Sequence, residues 1–338
     1  MWCTVFCVFD AARPCHSVTW YNAGMDKLQS STSTPGSGAA GPAAGAIRDH
    51  RRQWRDCLYV YPVISRRARG LSIGVNINPD KLCNFGCLYC QVDRHIRRNL
   101  NEVDLDRLKA ELELALSEAT AGRIWAEPPF AQAPASMRRI NDIAFSGDGE
   151  PTARPEFDAA VRVAADAKAA AGLADVKIVV ITNSTCLLSP QVARALPILD
   201  ANNGEIWAKL DAGTQELFDA VNRPHPARAL DDIVSGITAV AAGRAVVIQT
   251  LFFRIDGRGP GEAEIAAYAA RLREILAGGG RIKLVQLHTI ARGAMSPSAK
   301  ALPDDELDKL AEAVRRAVPE VHVEAYYGAD VATQQTSN

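Results

Sequence analysis

Residues 71–90 read LSIGVNINPDKLCNFGCLYC, and the rest of the chain can be placed from them. Leu71 to Ile77 is a short, mostly apolar run, as a strand buried on both faces requires. Beyond it, Cys83, Cys87 and Cys90 follow as C-x3-C-x2-C. Three thiolates so closely spaced can close on one metal centre. A four-iron cluster normally takes four protein ligands, so three leave one iron open to a non-protein ligand. Zinc would want a fourth protein ligand. His95 lies five residues past Cys90, so a site of three cysteines and one histidine stays open at this point.

The surrounding composition narrows the setting. The 338 residues are 48% hydrophobic and 23% charged, a globular balance for one large domain or two small ones. A net charge of -1 offers no global attraction for nucleic acid or membrane, so any basic partner surface must be local. No apolar run approaches the ~20 residues of a membrane span. MWCTVFCVFDAA lacks the basic start and cleavage site of a signal peptide. Cys3, Cys7, Cys15, Cys57 and Cys186 show no paired regularity. With a metal motif present, a reducing cytoplasm is the expected setting.

Working outward, residues 1–46 contain QSSTSTPGSGAAGPAAGA and read as a flexible, disordered low-complexity arm. Met25 is an alternative start. Residues 47–70 form a basic lead-in, with Arg48, Arg51, Arg52 and Arg55 before LYVYPV and Arg66, Arg67 and Arg69 after it. It reads either as a solvated approach to the domain or as a phosphate-contacting surface, with Tyr59 and Tyr61 able to stack bases or, equally, to serve as packing residues.

From Leu71 the pattern repeats through residue 295. Strands are expected at 71–77, 140–146, 176–182, 205–210, 245–253 and 282–288. Helices are expected at 105–119, 157–171, 190–199, 229–242 and 262–276. Pro155, Pro190 and Pro303 stand where helices begin. Strand alternating with helix six times implies right-handed crossovers and a parallel sheet, so the fold class is α/β, a partial (β/α)6 parallel barrel. Residues 296–338 add a helix at 304–317 and a candidate last strand at 321–326. The proline-broken stretch 122–139 reads as a long functional or mobile loop, and GRGPG at 257–261 as a second flexible spot.

In such a barrel, reactive groups collect at the carboxyl ends of the strands. The second strand ends in SGDGEP, where Gly147 and Gly149 let the backbone approach a ligand closely. There Glu150 can accept a charge-assisted hydrogen bond from an ammonium group. The third ends at Asn183 and the fourth at Lys209 and Asp211, which can equally form a local ion pair. The fifth carries Gln249 and Thr250. The sixth ends at His288, a ligand-contacting residue or a satisfied core histidine.

C-x3-C-x2-C after a first barrel strand, with the aromatic Tyr89 before the last cysteine, resembles the radical S-adenosylmethionine superfamily. The resemblance implies a [4Fe-4S] cluster held by Cys83, Cys87 and Cys90, with S-adenosylmethionine chelating the open iron. It implies reductive cleavage to a 5′-deoxyadenosyl radical. It further implies that SGDGEP holds the methionine amino group, although Asp148 stands where many members have glycine. Lys209 and Asp211 would contact the ribose or carboxylate, and Asn183 and His288 would lie beside the cofactor.

The strings CNFGCLYCQVDR, IAFSGDGEPT, VVITNST, WAKLDAGT, VNRPH and VQLHTIAR together resemble the wyosine-synthase-like group, which includes the tRNA 4-demethylwyosine synthases. That makes a tRNA nucleoside a candidate substrate. The irregular upstream cysteines do not match the group's second cluster, and none is expected. No flavodoxin-like pattern is present, so electrons are expected from a separate flavodoxin or ferredoxin. A radical activase or small-molecule enzyme, and a non-catalytic zinc or iron–sulfur module, are the competing readings.

Overall fold

The structure is a computed structural model that describes residues 54–65, 67–95, 100 and 102–328. The chain divides at Ala39/Ala40 into two units. The first unit, the expected arm and the arginines at 48, 51 and 52 lie outside the described residues. In the second unit the elements begin with β1 (Val60–Ser65), β2 (Gly70–Val75), α1 (Leu105–Thr120), β3 (Ile140–Phe145), α2 (Phe157–Ala170), β4 (Lys177–Thr182), α3 (Pro190–Asp200) and β5 (Gly204–Lys209). They continue with α4 (Gln215–Asn222), α5 (Leu230–Gly243), β6 (Ala245–Leu251), β7 (Phe253–Ile255), α6 (Glu262–Ala277), β8 (Arg281–His288), β9 (Ala299–Ala301), α7 (Asp304–Ala317) and β10 (Val323–Tyr326).

Eight strands hydrogen-bond in the order β1-β2-β3-β4-β5-β6-β8-β10. From β2 onward every neighbour is parallel, and the six expected core strands are β2, β3, β4, β5, β6 and β8. β1 runs antiparallel to β2. It makes LYVYPV part of the sheet rather than a lead-in to it.

Alternation along each strand gives the sheet two apolar faces. Ile143, Phe145, Ile178, Val180, Ile206 and Ile248 face outward into the main core with the helices. Ala144, Val179, Trp207 and Val247 form a separate buried cluster with Ile181 and Leu284, as residues on the opposite face of the same strands must. The inner cluster lines a lumen, and apolar residues on both faces are why the strands read as continuous runs. At the amino ends of the strands the lumen turns polar. Ser72 Oγ donates to Asp142. Glu205 Oε1 pairs with Lys177 at 2.7 Å and Lys283 at 2.6 Å.

The structure decides between two open readings and revises two expectations. Tyr59 and Tyr61 are 1% and 5% exposed and cannot stack bases. The Tyr59 hydroxyl accepts from Asp104 N, and Tyr61 lies over Gly74. Arg55 is engaged within the fold, its guanidinium pairing with Glu118 at 2.7 Å and Glu127 at 2.5 Å. The 122–139 stretch is three 3-10 turns, anchored by buried Ile124 and Phe130. The expected strand at 245–253 breaks at Phe252. Phe252 N donates to His288 O, and β7 leaves to pair antiparallel with β9.

Candidate functional site

The loop from β2 carries Cys83, Cys87 and Cys90 over the carboxyl end of the sheet. Of the residues expected at the site, Cys83, Cys87, Cys90, Tyr89, Gly147, Gly149, Glu150, Asn183, Lys209 and His288 line one cavity of about 340 Å³ that runs from these thiols down into the lumen, and Asp211 does not. The loop is seated by backbone bonds to the carboxyl end of α4: Gly86 N donates to Asn222 O at 3.1 Å and Leu88 N to Val221 O at 2.9 Å. Burial pushes the Cys83 thiol up to about 11 and the Cys87 thiol up to about 12, the expected effect of desolvating a thiolate.

The SGDGE loop lies against the stretch between β2 and Cys83. A Cβ on Gly149 would meet Asn78 Cβ at 2.7 Å and the Leu82 carbonyl closer still, and one on Gly147 would meet Asn76. The glycines therefore serve the fit of loop on loop, a partner that sequence reasoning could not name. Asp148 completes the joint, accepting from Asn76 Nδ2 at 2.8 Å and, through its carbonyl, from Arg94 at 2.9 Å.

Glu150 is 2% exposed. Its Oε1 accepts from Thr152 N and Oγ1 and from Thr182 Oγ1, and its Oε2 from Asn183 N at 2.6 Å. Burial raises its carboxyl above the usual range despite these donors. Oε2 is the atom left with a lone pair to offer a ligand. Asn183 joins the loops, its Nδ2 donating to Asn84 Oδ1 at 2.7 Å.

Asp211 differs from expectation. It is 3% exposed and already accepts from the Tyr89 hydroxyl at 2.5 Å, Asn222 Nδ2 at 2.8 Å and Leu251 N at 2.9 Å. It is a buried hub under the site and does not line the cavity. Burial and the adjacent Asp211 charge hold the Tyr89 phenol well above its usual range, so Tyr89 stays a donor. Lys209 pairs with Asp211 at 3.2 Å, and its ammonium lies 5.0 Å from the centre of the Tyr89 ring. His288 is half-buried in the cavity wall, with Nδ1 3.5 Å from Gln286 O.

Two neighbours of the thiols escaped sequence reasoning. Asn222 Nδ2 lies 3.7 Å from Cys87 Sγ, and Arg94 Nη2 lies 3.6 Å from Cys90 Sγ. Both sit in strings noted above, VNRPH and CNFGCLYCQVDR. An asparagine at a helix end and an arginine in a loop carry no local mark of what they meet across the fold.

Among the described residues, no three His, Cys, Asp or Glu side chains gather around a single ion. Zinc would need its sulfurs each at ~2.3 Å from one centre, whereas a cluster takes each thiolate on a different iron. The donor set of three thiols around one cavity, with N–H groups directed at the sulfurs, fits a cluster.

Fold and site together define a class: a parallel βα barrel, here partial, with a three-cysteine loop over the carboxyl end of its first parallel strand. Residues 77–256 match the model of the Radical SAM superfamily. That is more than half of the chain, and the chain belongs to that superfamily. Members of the superfamily use a [4Fe-4S] cluster and S-adenosylmethionine.

Similar proteins include one named GTPase Obg from Brachyspira hyodysenteriae, 25% identical over 251 residues, covering 73% of this chain and 32% of that protein. A UPF0026 protein of Methanocaldococcus jannaschii is 29% identical over 178 residues, 53% of this chain and 48% of that one. The chain thus spans about a third and about half of these two relatives. Among solved structures, a radical SAM methyltransferase from Sphaerobacter thermophilus aligns with a TM-score of 0.57 at 15% identity, covering 80% of this chain and 70% of that one. That likeness is one of fold. No described helix is long and apolar enough to cross a membrane.

Proposed function

We propose that Cys83, Cys87 and Cys90 hold one [4Fe-4S] cluster and that this chain is a radical S-adenosylmethionine enzyme acting on a group that enters the lumen. The observation that carries the reading is the single cavity shared by the three thiols and the SGDGE loop. Bound there, the cluster and S-adenosylmethionine supply a 5′-deoxyadenosyl radical able to take a hydrogen atom from substrate. The chain's own residues bind and orient. Glu150 Oε2 accepts from the methionine ammonium, with the glycine-rich loop beside it. The Tyr89 ring and Lys209 flank the nucleoside, and His288 faces cofactor or substrate. A separate flavodoxin or ferredoxin supplies the electron.

A tRNA nucleoside is the substrate that the wyosine-synthase-like strings favour. The size of the cavity, about 340 Å³, and the internal pairing of Arg55 favour a small molecule as the second reading.

Anaerobic reconstitution of the full chain with iron and sulfide tests the class. The expected result is about four irons per chain, with 5′-deoxyadenosine formed once reductant and S-adenosylmethionine are added. Cys87→Ala should abolish that product. Zinc in place of iron, or intact S-adenosylmethionine after reduction of a full cluster, would overturn the assignment.

A further inference from the structure

Each thiol in the loop has a side-chain N–H donor from outside the C-x3-C-x2-C motif. Asn222 Nδ2 reaches Cys87 Sγ at 3.7 Å. Arg94 Nη2 reaches Cys90 Sγ at 3.6 Å, beside Val92 N at 3.5 Å. Asn183 Nδ2 stands at 4.0 Å from Cys83 Sγ, the outer limit for such a bond. The first two have features that holding the loop in place does not require.

Asn222 is 2% exposed. Its Nδ2 also donates to Asp211 Oδ2 at 2.8 Å, while its Oδ1 is buried without a partner. Turning the amide over would place that oxygen against a carboxylate and a sulfur, so the hydrogen-bond network sets the orientation. A buried acceptor left unmade is costly, and an apolar side chain of similar shape would avoid the cost. The loop itself is seated by the backbone carbonyl of Asn222, which accepts from Gly86 N. What the amide adds is its pair of hydrogens, directed at Asp211 and Cys87, with the Tyr89 hydroxyl also within reach at 3.4 Å. Arg94 is likewise fixed by two carbonyls, those of Lys81 and Asp148. They hold a full positive charge beside Cys90.

We propose that Asn222 and Arg94 are positioning residues that set the reduction potential of the cluster through N–H···S bonds to Cys87 and Cys90. The inference rests on the cluster assignment above. Reduction adds negative charge that spreads onto the thiolate sulfurs. A donor aimed at a sulfur stabilises the reduced state more than the oxidised one and raises the potential. Arg94 acts more strongly than Asn222 because its donor is charged and partly withdrawn from solvent.

The test is a redox titration of the reconstituted full chain, followed by the EPR signal of the reduced cluster, without S-adenosylmethionine. At a fixed poise, Asn222→Leu should lower the ratio of reduced to oxidised cluster about threefold. Arg94→Gln should lower it about tenfold, which is about 59 mV for one electron, and Arg94→Lys should recover most of the loss. Full clusters with an unchanged ratio in both Asn222→Leu and Arg94→Gln would overturn the proposal. So would loss of bound iron in both, since the residues would then merely hold the loop. A wild-type chain that binds no cluster would instead overturn the assignment on which the proposal rests.

Discussion

At the scale of single residues, the lumen holds a carboxylate under unusual stress. Asp142 is 3% exposed, with Ser72 Oγ donating to it. Burial pushes its carboxyl up to about 6, against the opposing pull of Ser72 and Lys177. The folded chain therefore binds this proton more tightly than the unfolded chain does. Between about pH 4 and pH 6 the folded state holds more proton on Asp142, and stability falls as the pH rises through that window. A shift of about two units corresponds to about 3 kcal/mol. Asp142→Asn should remove the decline. Urea unfolding of both chains from pH 4 to pH 7 reads the difference directly, and a gap that does not change with pH would refute the role of Asp142. Nothing in INDIAF announces this. The residue reads as an ordinary polar position in a strand, and only closure of the sheet takes it from water. Gly147 and Gly149 were legible as positions of close approach, because a missing Cβ has one common use. That the approaching groups include Asn76, Asn78 and Leu82 came from the fold.

At the scale of elements, the loop after β5 shows how a helix can hide in a sequence. QELFDAVN follows WAKLDAGT and was not anticipated as α4. It is eight residues long, little more than two turns, and so short a window gives its apolar side, Leu217, Phe218 and Val221, no repeat by which to stand out. Thr214 caps it, its Oγ1 accepting from Leu217 N at 3.3 Å. The cap is locked from the other side by α6, where Glu264 accepts from Gly213 N and from Thr214 Oγ1. A Cβ on Gly213 would meet Tyr268 Cα at 2.6 Å, within the backbone of α6. Gly213→Ala must therefore push α4 away from α6. The expected loss is about 1–3 kcal/mol, as for other overpacked sites. Because α4 carries Asn222, the iron retained after reconstitution should fall as well. Unchanged thermal unfolding together with full iron content would show that the joint is slack.

For the whole molecule, the open matter is what meets the radical. If tRNA is the substrate, phosphate contacts release counterions on binding, and affinity falls steeply with salt, by roughly 0.7–0.9 in log–log slope for each phosphate neutralised. Arg55→Ala should leave that slope unchanged, since Arg55 is held by Glu118 and Glu127. Electrophoretic mobility shifts of an unmodified transcript from low to high salt would decide it. No binding at low salt would remove tRNA and leave the small-molecule reading.

By itself the sequence determined the parallel βα order and the thiol loop, because both are local. Buried strands show as apolar runs, helices as a stripe of period 3.6, and a cluster motif as three cysteines within one turn of chain. Five of the six core strands and their crossover helices were legible to within a few residues for that reason, and the remaining one, expected at 245–253, only overran where β6 gives way to β7. Tertiary structure alone decided that Tyr59 and Tyr61 are packing residues and that β1 extends the sheet. It alone made Asp211 a buried hub for Tyr89, Asn222 and Leu251. It alone brought Asn222 and Arg94, far from each other along the chain, to the sulfurs of the loop. A hydrogen bond between distant segments is a matter of distance and direction in space, and those two quantities exist only once the barrel has brought its strand ends together around CNFGCLYC.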